Sequence, residues 1–180
     1  MHLASISFGS VNGGLFSGVF AVQVELSNKG ALLSTADIIE KIMKFIGNKR
    51  VPVRFCGDLT ATIPEDMFGL CQTLKDFGLN TSLICNGQSR TNWMSLIDWL
   101  IVVVSDESWL RFHCHELRYV LKKGVDAEPE LPQKVPAIYV VPGKDVGAED
   151  IFRFVKKSKH TWGVVIPTKQ YTTQIWGARK

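Results

Sequence analysis

The stretch from Val51 to Met67, VPVRFCGDLTATIPEDM, reads as three pieces in a row. A buried strand comes first, then a loop with a corner at Gly57 and Asp58, then a helix opened by Pro64 and the acids Glu65 and Asp66. Strand, corner and helix in that order make one step of an α/β fold, and in many such proteins the corner cradles a cofactor. The following residues repeat the step. Leu79 to Cys85 reads as a strand ended by Asn86 and Gly87, and TNWMSLIDWLIVVV as a short helical turn leading into the apolar strand Trp99 to Val104.

Upstream, Phe20 to Leu26 (FAVQVEL) alternates apolar and polar residues as a half-exposed strand does, after a glycine-rich loop. A helix follows with Ser34 or Thr35 as its N-cap, an apolar face of Ile38, Ile39, Ile42 and Phe45, and Gly47 as its stop. Downstream, Leu110, Cys114, Leu117 and Leu121 fall on one face of an expected helix from Glu107 to Lys123. A polar, proline-containing linker (DAEPELPQKVP) leads to a strand at Ala137 to Val141, a helix at Ala148 to Lys157 and a strand at Trp162 to Ile166. Strands alternating with helices predict an α/β protein, a mostly parallel sheet with covering helices.

At 180 residues and 46% hydrophobic, the chain fits a single domain over residues 1–180. The net charge of +4 gathers in RFVKKSKH and GARK, a mildly basic balance that gives a nucleic-acid partner little support. The opening twenty residues lack the basic start and unbroken apolar block of a signal peptide, and WLIVVV is too short to span a bilayer. A soluble, cytoplasmic protein with no membrane partner is expected. Cys56, Cys71, Cys85 and Cys114 share no C-x-x-C spacing, so they read as buried reduced thiols, with Cys71 and Cys114 in helical patterns.

Motifs for chemistry are sparse. His113, Cys114 and His115 stand together, but on a helix residues two apart diverge, so they read as polar residues flanking a buried cysteine. GSVNGG lacks the order of the phosphate-binding loops, although glycines let backbone approach a ligand closely. Asp58 and Glu65 form a candidate carboxylate pair, with Glu65 more simply a first-turn residue favoured by the helix dipole.

In this order the pieces resemble the 7-carboxy-7-deazaguanine synthases, radical S-adenosylmethionine enzymes of the queuosine and deazapurine pathway. SFGSVNGGLFSGVFAVQVEL is similar to the family's opening turn, substrate loop and first barrel strand. VPVRFCGDLTATIPEDMFGLCQTLKDFGLNTSLICNGQS is similar to its strand, Gly-Gly-Glu-Pro corner, helix, strand and Thr-Asn-Gly corner. NWMSLIDWLIVVVSDES and WGVVIPTKQYTTQIWGAR resemble later segments, so the likeness covers about two thirds of the chain. It implies an incomplete, partial radical-SAM-like barrel and a dimer.

The departures fall on the chemistry. The family's C-x3-C-x2-C loop follows its first strand, whereas Leu26 is followed here by SNKGALLSTADIIEKI, without a cysteine to hold an iron–sulfur cluster. Gly57, Asp58, Leu59 and Thr60 replace the Gly-Gly-Glu-Pro corner, and the substrate loop keeps Asn12, Gly13 and Gly14 without its acid. The resemblance therefore implies a pseudoenzyme with no cofactor and no metal, binding a protein partner or a purine- or pterin-like ligand through Asn12, Gly13, Gly14, Gly57, Asp58, Asn86 and Gly87. Two other readings stay open. One is an enzyme running non-radical chemistry on a purine or pterin with Asp58, Asn86 and Asn12; the other is a nucleic-acid-binding accessory protein using Lys156, Lys157, Lys159, Arg179 and Lys180. A homodimer or hetero-complex is expected, with Trp162 and Trp176 either at an interface or closing the core.

Overall fold

The computed structural model describes residues 1–10, 19–86, 91–105, 113–125, 127–131 and 135–165. It is α/β with mostly parallel strand pairings, and the first strand makes two antiparallel ones. Contacts divide the chain into two compact units, one holding residues 1–10, 19–85 and 91–100, the other holding Asn86 and the described residues from Ile101 onward. No helix among the described residues is long and apolar enough to cross a membrane.

The first unit contains β1 (His2–Ser10), β2 (Phe20–Leu26), β3 (Ala31–Leu32), α1 (Thr35–Ile46), β4 (Val53–Gly57), α2 (Pro64–Asp76) and β5 (Thr81–Cys85). Its strands run in the open order β3-β1-β2-β4-β5. β2, β4 and β5 are parallel with Gln23, Arg54 and Ser82 in one row, while β1 returns antiparallel along β2 with Ile6 opposite Val24 and Ser7 opposite Gln23.

Helix α1 starts where its residues say it should. The Ser34 hydroxyl accepts from the Asp37 amide at 3.1 Å and the Asp37 carboxylate accepts from the Ser34 amide at 3.1 Å, a capping box. Its buried stripe is Ile38, Ile42 and Ile46, rotated from the expected one: Phe45 is half exposed, because a spacing of four along the helix, rather than three, meets the sheet. Helix α2 begins at Pro64, whose missing N–H is no loss in a first turn, and buries Met67, Leu70, Cys71 and Leu74.

These two helices cover one face of the strands. Val22, Val24, Phe55 and Leu83 on that face are fully buried. Thr81, in register with Val53, donates its amide to Asp98 at 2.7 Å, and Asp98 lies close enough to α2 to act on Cys71. Burial first, and Asp98 second, push the Cys71 thiol up to about 12.

The second unit pairs Ile101–Val104 of β6 (Trp99–Val104) with β7 (Glu116–Leu121), then β8 (Ala137–Pro142) and β9 (Gly163–Val164), all parallel. Helix α3 (Ala148–Lys157) packs through Phe154, whose ring stacks on Tyr119 of β7 at 5.9 Å and meets Trp162 edge-on at 5.3 Å.

Strand β7 corrects the helix expected from Glu107 to Lys123; of that span, residues 107–112 lie outside the described residues. All six residues of β7 are buried, and a strand hidden on both faces has no alternation to betray it, so its chance spacing of Leu117 and Leu121 imitates a helix. Cys114 is accordingly not helical, although it is buried and free like the other three cysteines. Strand β1 is the other departure, since His2–Ser10, rich in serine, carries no strong strand signal.

At the Gly57 corner the backbone has a φ of 100°, and a Cβ there would stand 2.3 Å from the Leu26 carbonyl oxygen. Asp58 N–H donates to the same carbonyl at 2.9 Å, so β4 is clamped against the end of β2. Gly57→Ala should therefore lower the unfolding free energy by about 2–4 kcal/mol, read as a reduced urea midpoint at unchanged slope.

Candidate functional site

Of the pocket residues expected from the sequence, Gly57, Asp58 and Asn86 are described, whereas Asn12, Gly13, Gly14 and Gly87 lie outside the described residues. Gly57 is the last residue of β4, with Asp58 just beyond it, and Asn86 follows the last residue of β5; all three are exposed. Asp58 is already engaged. Its Oδ1 accepts from the Thr60 amide at 2.9 Å and the Thr60 hydroxyl at 2.7 Å, and its Oδ2 accepts from Asn28 Nδ2 at 2.8 Å. The carboxylate caps the short 3-10 turn Leu59–Ala61, a structural task that leaves it poorly placed as a proton carrier or an ammonium acceptor. Glu65 sits in the first turn of α2, as its dipole reading requires.

The histidine cluster also changes. Residues 113–115, just before β7, are not helical, and the His113 and His115 rings lie 6.1 Å apart, edge to face, on either side of buried Cys114. Among the described residues no group of three or more His, Cys, Asp or Glu converges as a metal site.

The chemistry-bearing groups gather instead on the sheet faces turned away from the helices. In the first unit Gln23, Arg54 and Ser82 form one row across β2, β4 and β5. Arg54 is 4% exposed, and its Nε donates to the Ser82 hydroxyl at 3.5 Å. In the adjacent row Glu25 stands opposite Cys56 on β4 and Ser5 on β1, and the Ser5 hydroxyl donates to Glu25 Oε2 at 3.1 Å. Gln23 and Glu25 remain partly accessible. Burial, with the Glu25 charge adding to it and Arg54 opposing it, pushes the Cys56 thiol up to about 12, so it is a neutral packing group rather than a nucleophile.

In the second unit the equivalent position is ionic. Glu116 and Arg118, two apart on β7 and therefore on one face, pair through Oε1 and Nε with both side chains fully buried. Tyr139 lies beside Arg118 on β8, and its phenol is raised above the ordinary range by burial first and by Glu116 next, with Arg118 pulling the other way. Its ring lies over Gly163, where a Cβ would meet ring carbons at 2.4 Å. Removing one member of a buried ion pair strands the other charge, so Arg118→Met should cost about 3–5 kcal/mol of stability by urea denaturation.

Sequence reasoning missed both polar faces. The signal was present in the alternation of Val22, Gln23, Val24 and Glu25 and in an arginine inside VPVRFCG, but alternation does not say which face a helix covers.

The basic residues of α3 and its exit are exposed: Lys156 and Lys157 in the last turn, Lys159 two residues beyond the helix. Arg179 and Lys180 lie outside the described residues. The Lys159 amide donates to Glu128 at 2.7 Å, and Glu128 also takes the His160 amide, His160 Nδ1 and, at 3.0 Å, Trp162 Nε1. Trp162 is thus a core residue of its unit, 5% exposed, while Trp176 lies outside the described residues.

Burial by itself would raise Glu128, but the hydrogen bonds from Trp162, Lys159 and His160 outweigh it and bring the carboxyl down to about 2. A depressed carboxyl stabilises the fold above its unfolded value, near 4.5, and loses that contribution as pH falls toward 2. The stability gap between the protein and Glu128→Gln should be flat above about pH 5, on the order of 2–3 kcal/mol, and shrink steadily below pH 4.5 in acid titrations followed by circular dichroism.

No protein-family model matches the chain, and no curated protein matches it. Among the described residues, fold and geometry together define an α/β protein whose strand faces turned away from the helices carry Gln, Glu, Arg, Ser and Tyr side chains.

Proposed function

We propose that this chain is a binding protein, a non-catalytic relative of the 7-carboxy-7-deazaguanine synthases, and that it takes a purine- or pterin-like ligand on the strand face of its first unit turned away from α1 and α2. The observation that carries the reading is the pair of rows Gln23–Arg54–Ser82 and Ser5–Glu25–Cys56. A sheet built only for stability would place apolar residues there, because a buried arginine costs desolvation energy that packing alone does not return.

The donor set suits a planar heterocycle. A carboxylate accepts from two adjacent N–H groups of a lactam and amine edge, a glutamine offers one donor and one acceptor, and a guanidinium donates to a ring nitrogen or carbonyl. Glu25, Gln23 and Arg54 supply one of each, with Glu25 and Gln23 partly accessible. The open, mostly parallel strand order is compatible with the incomplete barrel that the sequence resemblance implies. The neutral thiol of Cys56 and the capping role of Asp58 fit binding better than chemistry.

Thermal unfolding with guanine, 7-deazaguanine and pterin, each over a concentration series, tests the proposal. A ligand at one hundred times its dissociation constant should stabilise the protein by about 2.7 kcal/mol. The shift should vanish in Glu25→Ala and persist in Lys156→Ala. No shift with any heterocycle removes the ligand reading. Anaerobic reconstitution with iron and sulfide tests the non-catalytic part separately: a colourless protein is expected, and a brown one with about four irons per chain would overturn it.

A further inference from the structure

A groove of about 870 Å³ runs between β1 and α1, with Leu3, Ile6, Asp37, Glu40, Lys44 and Phe45 in its walls. Its strand wall is a sheet edge. β1 pairs with β2 along one side, whereas on the other, among the described residues, β3 covers only His2 and Leu3. Gly30, where the chain enters β3, closes that end: a Cβ there would stand 2.0 Å from the Leu3 carbonyl oxygen and 2.7 Å from the Ala4 amide nitrogen. The edge beyond it, residues 5–10 (SISFGS), has no charge, no proline and no further bulge. Folded proteins block such edges with lysines, prolines, bulges or covering loops, and use bare ones to accept an added strand.

The helix wall carries an ordered charge pattern. α1 runs in the same direction as β1: Leu33, just before the helix, donates to the Met1 carbonyl at 3.0 Å, and Val53, beyond its end, is level with Val22 and so with Phe8. Asp37 to Lys44 rises about 10 Å along a helix, and Leu3 to Ile6 about 10 Å along a strand. The acids Asp37 and Glu40 therefore line the Leu3 end of the groove and Lys44 the Ile6 end. Asp37 is engaged by the Ser34 cap. Glu40 and Lys44 are exposed and make no ion pair among the described residues. Ile6 and half-exposed Phe45 give the groove an apolar stretch between strand and helix.

We propose that this groove takes an extended segment of another protein, which adds to residues 5–10 as an antiparallel strand. Antiparallel addition continues the direction of β3 on the same edge. It carries the incoming segment from the Phe8 end to the Leu3 end, past Lys44 first and Glu40 last. The segment that fits has, at alternate positions facing α1, an acid, then an apolar side chain packed on Ile6 and Phe45, then a base. The backbone ladder supplies affinity, and the charge order fixes direction and selects the partner. A second β1 strand would bring no such order, because residues 5–10 carry no charge. The groove lies on the α1 side of the sheet and the Gln23–Arg54–Ser82 row on the other, so this is a second site, independent of the heterocycle site.

The probes are two fluorescein-labelled peptides of identical composition, Thr-Glu-Thr-Val-Thr-Lys-Thr and the charge-swapped Thr-Lys-Thr-Val-Thr-Glu-Thr. Each is titrated with the full chain up to about 1 mM and followed by fluorescence anisotropy. The first should bind about tenfold more tightly than the second, and it should slow amide hydrogen exchange at residues 5–9. Lys44→Glu should weaken the first peptide about tenfold and gain affinity for Thr-Lys-Thr-Val-Thr-Lys-Thr, with circular dichroism unchanged. No saturable binding, equal affinity for the two peptides, exchange protection away from β1, or a Lys44→Glu chain that binds as the wild type does would each overturn the inference. A wild-type edge already filled by a second copy would take neither peptide and would overturn it too. Should Lys44→Glu fail to fold, the two peptides and the exchange pattern on the wild type decide alone. Lys44 stands on α1, away from Gln23, Glu25 and Arg54, so Lys44→Glu should keep the heterocycle shift, and loss of the heterocycle reading moves none of the peptide measurements.

Discussion

A parallel strand hides both of its faces, and among the described residues the helices of each unit cover only one. α1 and α2 close the face of Val22, Phe55 and Leu83, and α3 closes the face of Tyr119. Arg54, Ser82, Glu116 and Arg118 on the opposite faces are themselves buried, so the charges there must be compensated. The chain meets that demand with polar side chains that satisfy one another: Arg54 with Ser82, Ser5 with Glu25, Glu116 with Arg118. Candidate chemistry and sheet stability therefore rest on the same rows of residues.

The two units solve the problem differently, and the difference separates structure from binding. Glu116 and Arg118 are completely buried, so their first effect is on specificity of packing: a strand with one carboxylate and one guanidinium at fixed positions tolerates no slip in register, because a one-residue shift would turn both into the helix-covered apolar face. Gln23 and Glu25 stay partly accessible, and a face that is polar, aligned and reachable is one a ligand can use.

How much of this was legible depended on whether local pattern and tertiary placement agreed. β6 and α3 were readable to the residue, since WLIVVV is uniformly apolar and AEDIFRFVKK starts with acids and ends with lysines. β1 was not, because HLASISFGS owes its extended form to pairing with β2 rather than to its own preferences. β7 misled because burial on both faces erases the period that distinguishes strand from helix. The Gly57–Asp58 corner was placed correctly at the end of its strand, yet the use of Asp58 as a cap depends on Asn28, thirty residues away, which no local reading connects to it.

The carboxylates show why the site moved from the corner to the strands. Asp37, Asp58, Asp98, Asp150 and Glu128 all lie in loops or helix starts, where backbone amides point outward and can be accepted: Ser34, Thr60, Thr81, Gly147 and Lys159 supply them in turn. A carboxylate so held resists recruitment by a ligand, since an incoming group must first displace the amide it accepts from. Glu25 is placed differently. In mid-strand its neighbouring amides serve the ladders to β1 and β4, and its hydrogen bond comes from a hydroxyl, Ser5, that can rotate away at small cost. Under the proposed binding reading, Glu25 in the middle of β2, rather than Asp58 in the loop after β4, is the carboxylate a ligand would engage.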